Sequence, residues 1–157
     1  MPAEKLKKYL DENHVRYISI KHSVAYTAQE IAAASHVKGK GFAKTVVIKT
    51  DGKLAMAVLP ASYKIDFELL KKSLGSNDIR LSNEQEFKDK FPGCEVGAMP
   101  PFGNLYNVDV YISASLVEDE EISFNAGTHT EIIKMDFKDF EKLVNPKILR
   151  FSVKYKT

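Results

Sequence analysis

A lysine set in an apolar run is the first residue whose surroundings suggest chemistry. Side chains alternate across a strand, so Lys44 shares one face with Phe42, Val46 and Ile48. An ammonium on such a face is costly unless it is paired or opens on a cleft. In a cleft it suits proton transfer or a hydrogen bond to a reacting carbonyl. At a strand mouth it would simply reach out to water. A second candidate is Gly97-Ala98-Met99-Pro100-Pro101-Phe102-Gly103. No residue between Glu95 and Asp109 is charged, and paired prolines stiffen the segment between its glycines. A stiff neutral loop can hold backbone amides where a developing oxyanion needs them, or it can be a plain connection between strands. The third is the polar turn Asn125-Ala126-Gly127-Thr128-His129-Thr130, where His129 can donate, accept or titrate near neutrality. His22, after the first strand, is the other histidine at an element end. Each of these histidines also has a purely structural reading.

Other chemistries lack their residues. His14, His22, His36 and His129 show no metal-ligand spacing, so no metal is expected. Neither GxSxG nor a cysteine–histidine signature is present, and Cys94 has no activating partner in its neighbourhood. Glycine-rich loops of the GxGxxG or GxxxxGK type are absent, so no nucleotide cofactor is expected.

The chain that must position these groups has 157 residues, 44% apolar and 28% charged, which fits one globular domain. The lone Cys94 forms no intrachain disulfide, and a reducing, cytoplasmic setting is the expectation. MPAEKLKKYLDENH is too charged for a signal peptide, and no apolar run approaches the ~20 residues of a membrane helix. Charge is uneven: residues 1–80 carry 14 Lys+Arg against 8 Asp+Glu, and the remainder 9 against 13. Lys38, Lys40, Lys44 and Lys49 fall in a stretch without a carboxylate between Glu30 and Asp51. That cluster suits a phosphate backbone, or a solvated loop.

The strongest local signal is a hairpin of Phe42–Thr50 and Lys53–Pro60 about Asp51-Gly52, a type I′ turn sequence. Its register sets Lys44 opposite Leu59 and Val46 opposite Ala57. Helices are expected over residues 3–13, from a Thr27–Glu30 capping box to Ser35, over Asp66–Leu74 with Gly75 closing it, and from a Ser82–Gln85 box to Phe91. A last helix runs from Asp136 to Val144. Strands are expected over Arg16–Ile20, Val108–Leu116, Glu121–Asn125, Thr128–Met135 and Ile148–Lys156. Strands in hairpins and runs, with helices between groups, argue α+β.

Taken in order, His22-Ser23-Val24-Ala25-Tyr26-Thr27-Ala28-Gln29-Glu30, then Ala43-Lys44-Thr45-Val46-Val47, then Gly97 to Gly103, then Gly127-Thr128-His129 resembles the YbaK family of aminoacyl-tRNA deacylases. That family also occurs as the editing insertion of bacterial prolyl-tRNA synthetases. The resemblance covers about residues 15 to 145. It implies a single α+β domain with a mixed, partly barrel-like sheet surrounded by helices. It implies hydrolysis in trans of the ester of a mischarged tRNA, of the Ala- or Cys-tRNA(Pro) type, with no cofactor and with a synthetase as a further partner. The family lysine falls on Lys44, and the glycine–proline loop on Gly97, Pro100, Pro101, Phe102 and Gly103. The family histidine falls on His22, in a mainly structural role, and Gly127 and Thr128 with His129 match the alanyl-prolyl branch. Lys44 would bind the ester carbonyl or nearby ribose and phosphate oxygens, and loop amides would flank the oxyanion. His129, or a ribose hydroxyl, would orient the water. Lys38 and Lys40 would meet the tRNA. Ala55 and Ala57, on the Lys44 face of the hairpin, would make a pocket too small for proline; one methylene is worth only ~1–3 kcal/mol, so exclusion must be steric. A non-catalytic tRNA- or synthetase-binding module is the competing reading, and a hydrolase of some other small ester a third.

Overall fold

A computed structural model describes residues 2–22 and 42–154. The expected helix over Thr27–Ser35, and Lys38 and Lys40, lie outside these residues. The chain opens with helix α1 (Pro2–Glu12), whose Leu6 and Leu10 enter the core, and strand β1 (Tyr17–Lys21). The hairpin follows as β2 (Ala43–Thr50) and β3 (Lys53–Pro60). Asp51 and Gly52 both take positive φ, 50° and 84°, as the two central residues of a type I′ turn require. Lys44 pairs with Leu59 and Val46 with Ala57, the register expected from sequence.

Next come β4 (Tyr63–Ile65), α2 (Phe67–Leu74) and β5 (Ile79–Leu81). Asp66 caps α2 by accepting from the amides of Glu68 and Leu69, and Gly75 ends it in the left-handed region. A capping box then opens α3 (Glu84–Phe87), but Asn83 is its cap and Glu86 its partner, one residue beyond the expected pair. Glu86 is fixed there by two hydrogen bonds from Arg80, at 2.8 and 2.7 Å, and by Lys49 at 2.8 Å. The Arg80 bonds, then those of Lys49 and the Asn83 amide, hold its carboxyl far below the usual range. The helix stops after one turn, short of Phe91.

The second half contains a 3-10 turn at Gly103–Leu105, then β6 (Asp109–Ser113), α4 (Ala114–Val117), β7 (Glu121–Asn125), β8 (Glu131–Asp136), α5 (Phe137–Val144), β9 (Lys147–Leu149) and β10 (Ser152–Lys154). β6 ends earlier than expected because Ser113 turns to cap α4, its hydroxyl accepting from the Ser115 amide. The expected tail strand divides at Arg150–Phe151 into β9 and β10, which join different sheets.

Five strands form a mixed sheet in the order β5-β2-β3-β6-β9, with β3, β6 and β9 parallel to one another. A second sheet, β1-β8-β7, is antiparallel, and β10 pairs with β4. One parallel bridge, Phe42 to Ser123, lays the start of β2 beside β7. The sheets thus meet at an edge and, among the described residues, do not close, and the architecture is the expected α+β domain of mixed sheets with helices around them. The larger core lies on one face of β2 and β7, where Ala43, Val47, Ile122 and Phe124 meet Phe102 and Phe140. The smaller lies on the other face of the hairpin, where Ile48, Ala55, Ala57 and Leu59 pack with Leu70 and Phe151.

Candidate active site

The polar turn after β7 is the hub of the site, because three other segments are hydrogen-bonded to it. The Glu95 amide donates to the Gly127 carbonyl and the Gly127 amide to the Ala98 carbonyl, each at 2.8 Å. The His22 amide donates to the Thr130 carbonyl, also at 2.8 Å, which carries the end of β1 to the turn. The Ala126 amide donates to the Glu131 carbonyl and closes the turn onto β8. Glu131 is itself held by Lys7 and by the Ser19 hydroxyl. Burial pushes its carboxyl up, but those two hydrogen bonds and the charges of Lys7 and Lys21 outweigh burial and leave it below the ordinary value. Gly127 is needed for space as well as for its φ of 98°: a Cβ there would come within 2.6 Å of Pro2. Thr128 closes the turn from within, its hydroxyl 3.2 Å from that of Thr130.

His129 stands exposed at the tip, with both ends tied to the neighbouring loop. Its amide donates to Glu95 Oε1 at 3.2 Å, and its Nε2 lies 2.7 Å from the Val96 carbonyl. A carbonyl only accepts, so in the neutral ring the proton sits on Nε2 and Nδ1 is the nitrogen left to accept. Gly97, at φ 82°, passes under the ring, and a Cβ there would be 3.6 Å from its Cε1.

The rest of the glycine–proline loop turns inward. Met99, Pro100, Pro101, Phe102 and Gly103 are all buried. Phe102 packs against Tyr9, Phe124 and Phe140, with ring centroids 6.3, 5.6 and 5.4 Å away. A Cβ on Gly103 would stand 2.4 Å from the Val108 carbonyl. Phe102 and Gly103 are therefore anchored in the core. The amides of Ala98 and Phe102 are committed to the carbonyls of Glu95 and Pro100, and the prolines have none. Gly97, Met99 and Gly103 supply the loop amides with no partner among the described residues, and of these Gly97 is exposed.

Lys44 is half-buried on β2. The Phe42–Ser123 bridge is parallel, so both strands leave it in the same direction, with Lys44 two residues beyond it on β2 and Asn125 two residues beyond it on β7. Paired residues share a face, which sets Lys44 on the side carrying Ser123 and Asn125, away from the larger core. β7 then delivers the 125–130 turn, and the turn carries Glu95–Ala98. Lys44, His22, His129 and Gly97 are thus linked through adjoining strands and hydrogen bonds at one end of the β1-β8-β7 sheet. Ala55 and Ala57 share the Lys44 face but are 2% and 0% exposed, packed beneath Leu70 and Phe151. They belong to the smaller core.

Ser123 escaped the sequence reading, which took in Asn125 only as the first residue of the polar turn. The Ser123 Oγ and the Asn125 Oδ1 are buried on β7 and have no hydrogen-bond partner among the described residues. The one available signal was alternation: polar Ser123 and Asn125 interleave with apolar Ile122 and Phe124. Cys94 is half-buried 3.7 Å from the Tyr106 hydroxyl, and burial pushes its thiol up, so it lacks the thiolate character of a nucleophile. Among the described residues, no group of His, Cys, Asp and Glu could hold a metal ion, and no helix is long and apolar enough to cross a membrane. Two open clefts, about 630 Å³ beside Asp109 and Lys147 and about 800 Å³ beside Arg16 and Lys134, contain none of the expected site residues.

Comparison with known proteins adds three findings. A family model described as the aminoacyl-tRNA editing domain matches residues 22–143. The multifunctional Ser/Thr-tRNA deacylase ProXp-y of Escherichia coli K12 is 28% identical over 127 residues, covering 76% of this chain and 75% of that one. The prolyl-tRNA editing protein ProX of Acetoanaerobium sticklandii is 25% identical over 142 residues, covering 86% and 85%. In fold, the chain matches a crystal structure described as a candidate trans-editing enzyme for prolyl tRNA synthetase, with a TM-score of 0.82, 17% identity and coverage of 99% and 98%.

Proposed function

The chain belongs to the aminoacyl-tRNA editing domain family, and on that premise we propose that it is a trans-acting deacylase of mischarged tRNA. Supporting this is the placement of Lys44 beside β7, whose following turn carries His129 and is hydrogen-bonded to the Gly97 segment. An aminoacyl ester is already activated, so its hydrolysis needs a placed water and a stabilised oxyanion more than a strong nucleophile. Lys44 engages the ester carbonyl or the adjoining ribose and phosphate oxygens. The Gly97 amide donates to the developing oxyanion. His129, held through Nε2 by the Val96 carbonyl, presents Nδ1 to the attacking water.

The substrate is a small aminoacyl group on tRNA. Alanyl and cysteinyl esters of tRNA(Pro) are the first to test, and the resemblance to a Ser/Thr-tRNA deacylase adds seryl and threonyl esters. The 9-to-13 excess of acidic residues after position 80 leaves only the first half basic, so delivery by a synthetase fits the charge distribution. The test is a panel of alanyl-, cysteinyl-, seryl-, threonyl- and prolyl-tRNA offered to the purified chain. Faster release of at least one small amino acid than of proline is expected. Binding of tRNA with no release above the spontaneous rate on any member would instead identify a binding module.

A further inference from the structure

Ser123 and Asn125 present two buried polar atoms without partners among the described residues, on the face of β7 that Lys44 shares. Ser123 is fully buried, and the Asn125 Oδ1 is shielded although its residue is half-buried. Buried polar atoms are almost always satisfied, so a pair left open along one strand face points to a group that arrives from outside. The Asn125 Oδ1 is an acceptor only, so that group must bring a hydrogen-bond donor. Near the scissile bond, an aminoacyl ester carries its donors on the α-amine and on the vicinal ribose hydroxyl. The α-amine donates whether neutral or protonated, and the nearby Lys44 ammonium favours the neutral form.

We propose that Asn125, backed by Ser123, receives the α-amine of the aminoacyl group and so selects aminoacyl over simple acyl esters. This rests on the deacylase reading. Asn125 acts as a specificity determinant: it orients the acyl group so that the carbonyl faces Lys44, and no bond forms or breaks at its side chain. A site built to hydrogen-bond a substrate group rejects an analogue lacking it, because its own polar atoms are then left unpaired.

The test uses two matched pairs of charged tRNA: alanyl against propionyl, and seryl against 3-hydroxypropionyl. Each pair differs only by the α-amine. Spontaneous hydrolysis of each ester corrects for intrinsic reactivity. For the wild type we expect kcat/KM for the amine-bearing ester to exceed its partner's by at least tenfold after that correction. In Asn125→Leu, close in size but without the acceptor, the corrected preference should fall at least tenfold, and Asn125→Asp, which keeps an acceptor, should retain it. Asn125→Ala provides the same comparison if the leucine variant does not fold. An unchanged preference in a folded Asn125→Leu or Asn125→Ala would overturn the inference while leaving the deacylase reading intact. Equal loss on both members of a pair would also overturn it, assigning Asn125 to the ribose or to the fold. A wild type that cleaves neither alanyl- nor seryl-tRNA would overturn the deacylase reading, and this inference with it.

Discussion

Two glycines in one loop should fail in different ways when each gains a methyl group. At Gly103 the new Cβ would meet the Val108 carbonyl at 2.4 Å and Val110 Cγ2 at 2.6 Å. The carbonyl is backbone and has no rotamer to retreat into, so the strand or the 3-10 turn must shift. Overpacking of this kind costs about 1–3 kcal/mol, and a backbone obstacle argues for the upper end. At roughly 3 °C per kcal/mol for a chain of this length, Gly103→Ala should lower Tm by about 9 °C. At Gly97 the Cβ would find 3.6 Å to the His129 ring, an ordinary contact, and the cost is the positive φ of 82° alone, about 1–2 kcal/mol or roughly 3–6 °C. The activity order should be the reverse. Gly97→Ala strains the amide offered to the oxyanion and crowds the ring that orients water, so it should lose ten- to a hundredfold in kcat. Gly103→Ala, assayed well below its Tm, should keep most of its rate. Thermal unfolding and single-turnover deacylation on the same preparations decide the matter. A Gly103→Ala protein with unchanged Tm, or a Gly97→Ala protein with full activity, would refute the division of this loop into an anchor and a working rim.

Three further outcomes follow from the same geometry. Phe102→Ala removes the ring that joins Tyr9, Phe124 and Phe140 and should cost about 3–5 kcal/mol, read as a fall in the urea midpoint at unchanged slope. Glu131 has a lowered carboxyl, so its contribution is present above the ordinary value of 4.5 and is lost as pH falls through its folded value. Lys7→Met leaves burial less opposed, raises that folded value and should move acid unfolding to higher pH; an unmoved midpoint would contradict the Lys7–Glu131 link. The raised Cys94 thiol should react with iodoacetamide at pH 7.5 more slowly than free cysteine, and Cys94→Ser should deacylate at the wild-type rate.

Local chemistry was legible in the sequence where one short-range rule had no rival. Asp51-Gly52 set the hairpin register because, among the described residues, only that turn carries two positive-φ residues between matched strands. Asp66 and Gly75 bracketed α2 for the same reason. The rules misled where two residues competed: Ser82 and Asn83 are both good caps, and Arg80 with Lys49 drew Glu86, hence Asn83, into the box. Face assignment from alternation put Ala55 and Ala57 beside Lys44 correctly, but alternation does not say what covers a face, and Leu70 with Phe151 covers theirs. Phe102 is assigned to the substrate loop through the family resemblance, and its burial is set by residues 22 and 38 positions away, Phe124 and Phe140. Long-range pairing was invisible. Nothing local announces that β3, β6 and β9 run parallel, or that Phe42 bridges to Ser123, and that bridge is what sets the Lys44 end of β2 beside β7.

Single-turnover cleavage of the best mischarged tRNA by wild type and Lys44→Ala, with tRNA affinity and Tm measured alongside, bears most directly on the account. Removal of one electrostatic donor from a preorganised site should cut the rate about 10²–10³-fold, while the half-exposed position leaves Tm within a few degrees of the wild type. A folded Lys44→Ala protein that releases the amino acid at the wild-type rate would contradict it.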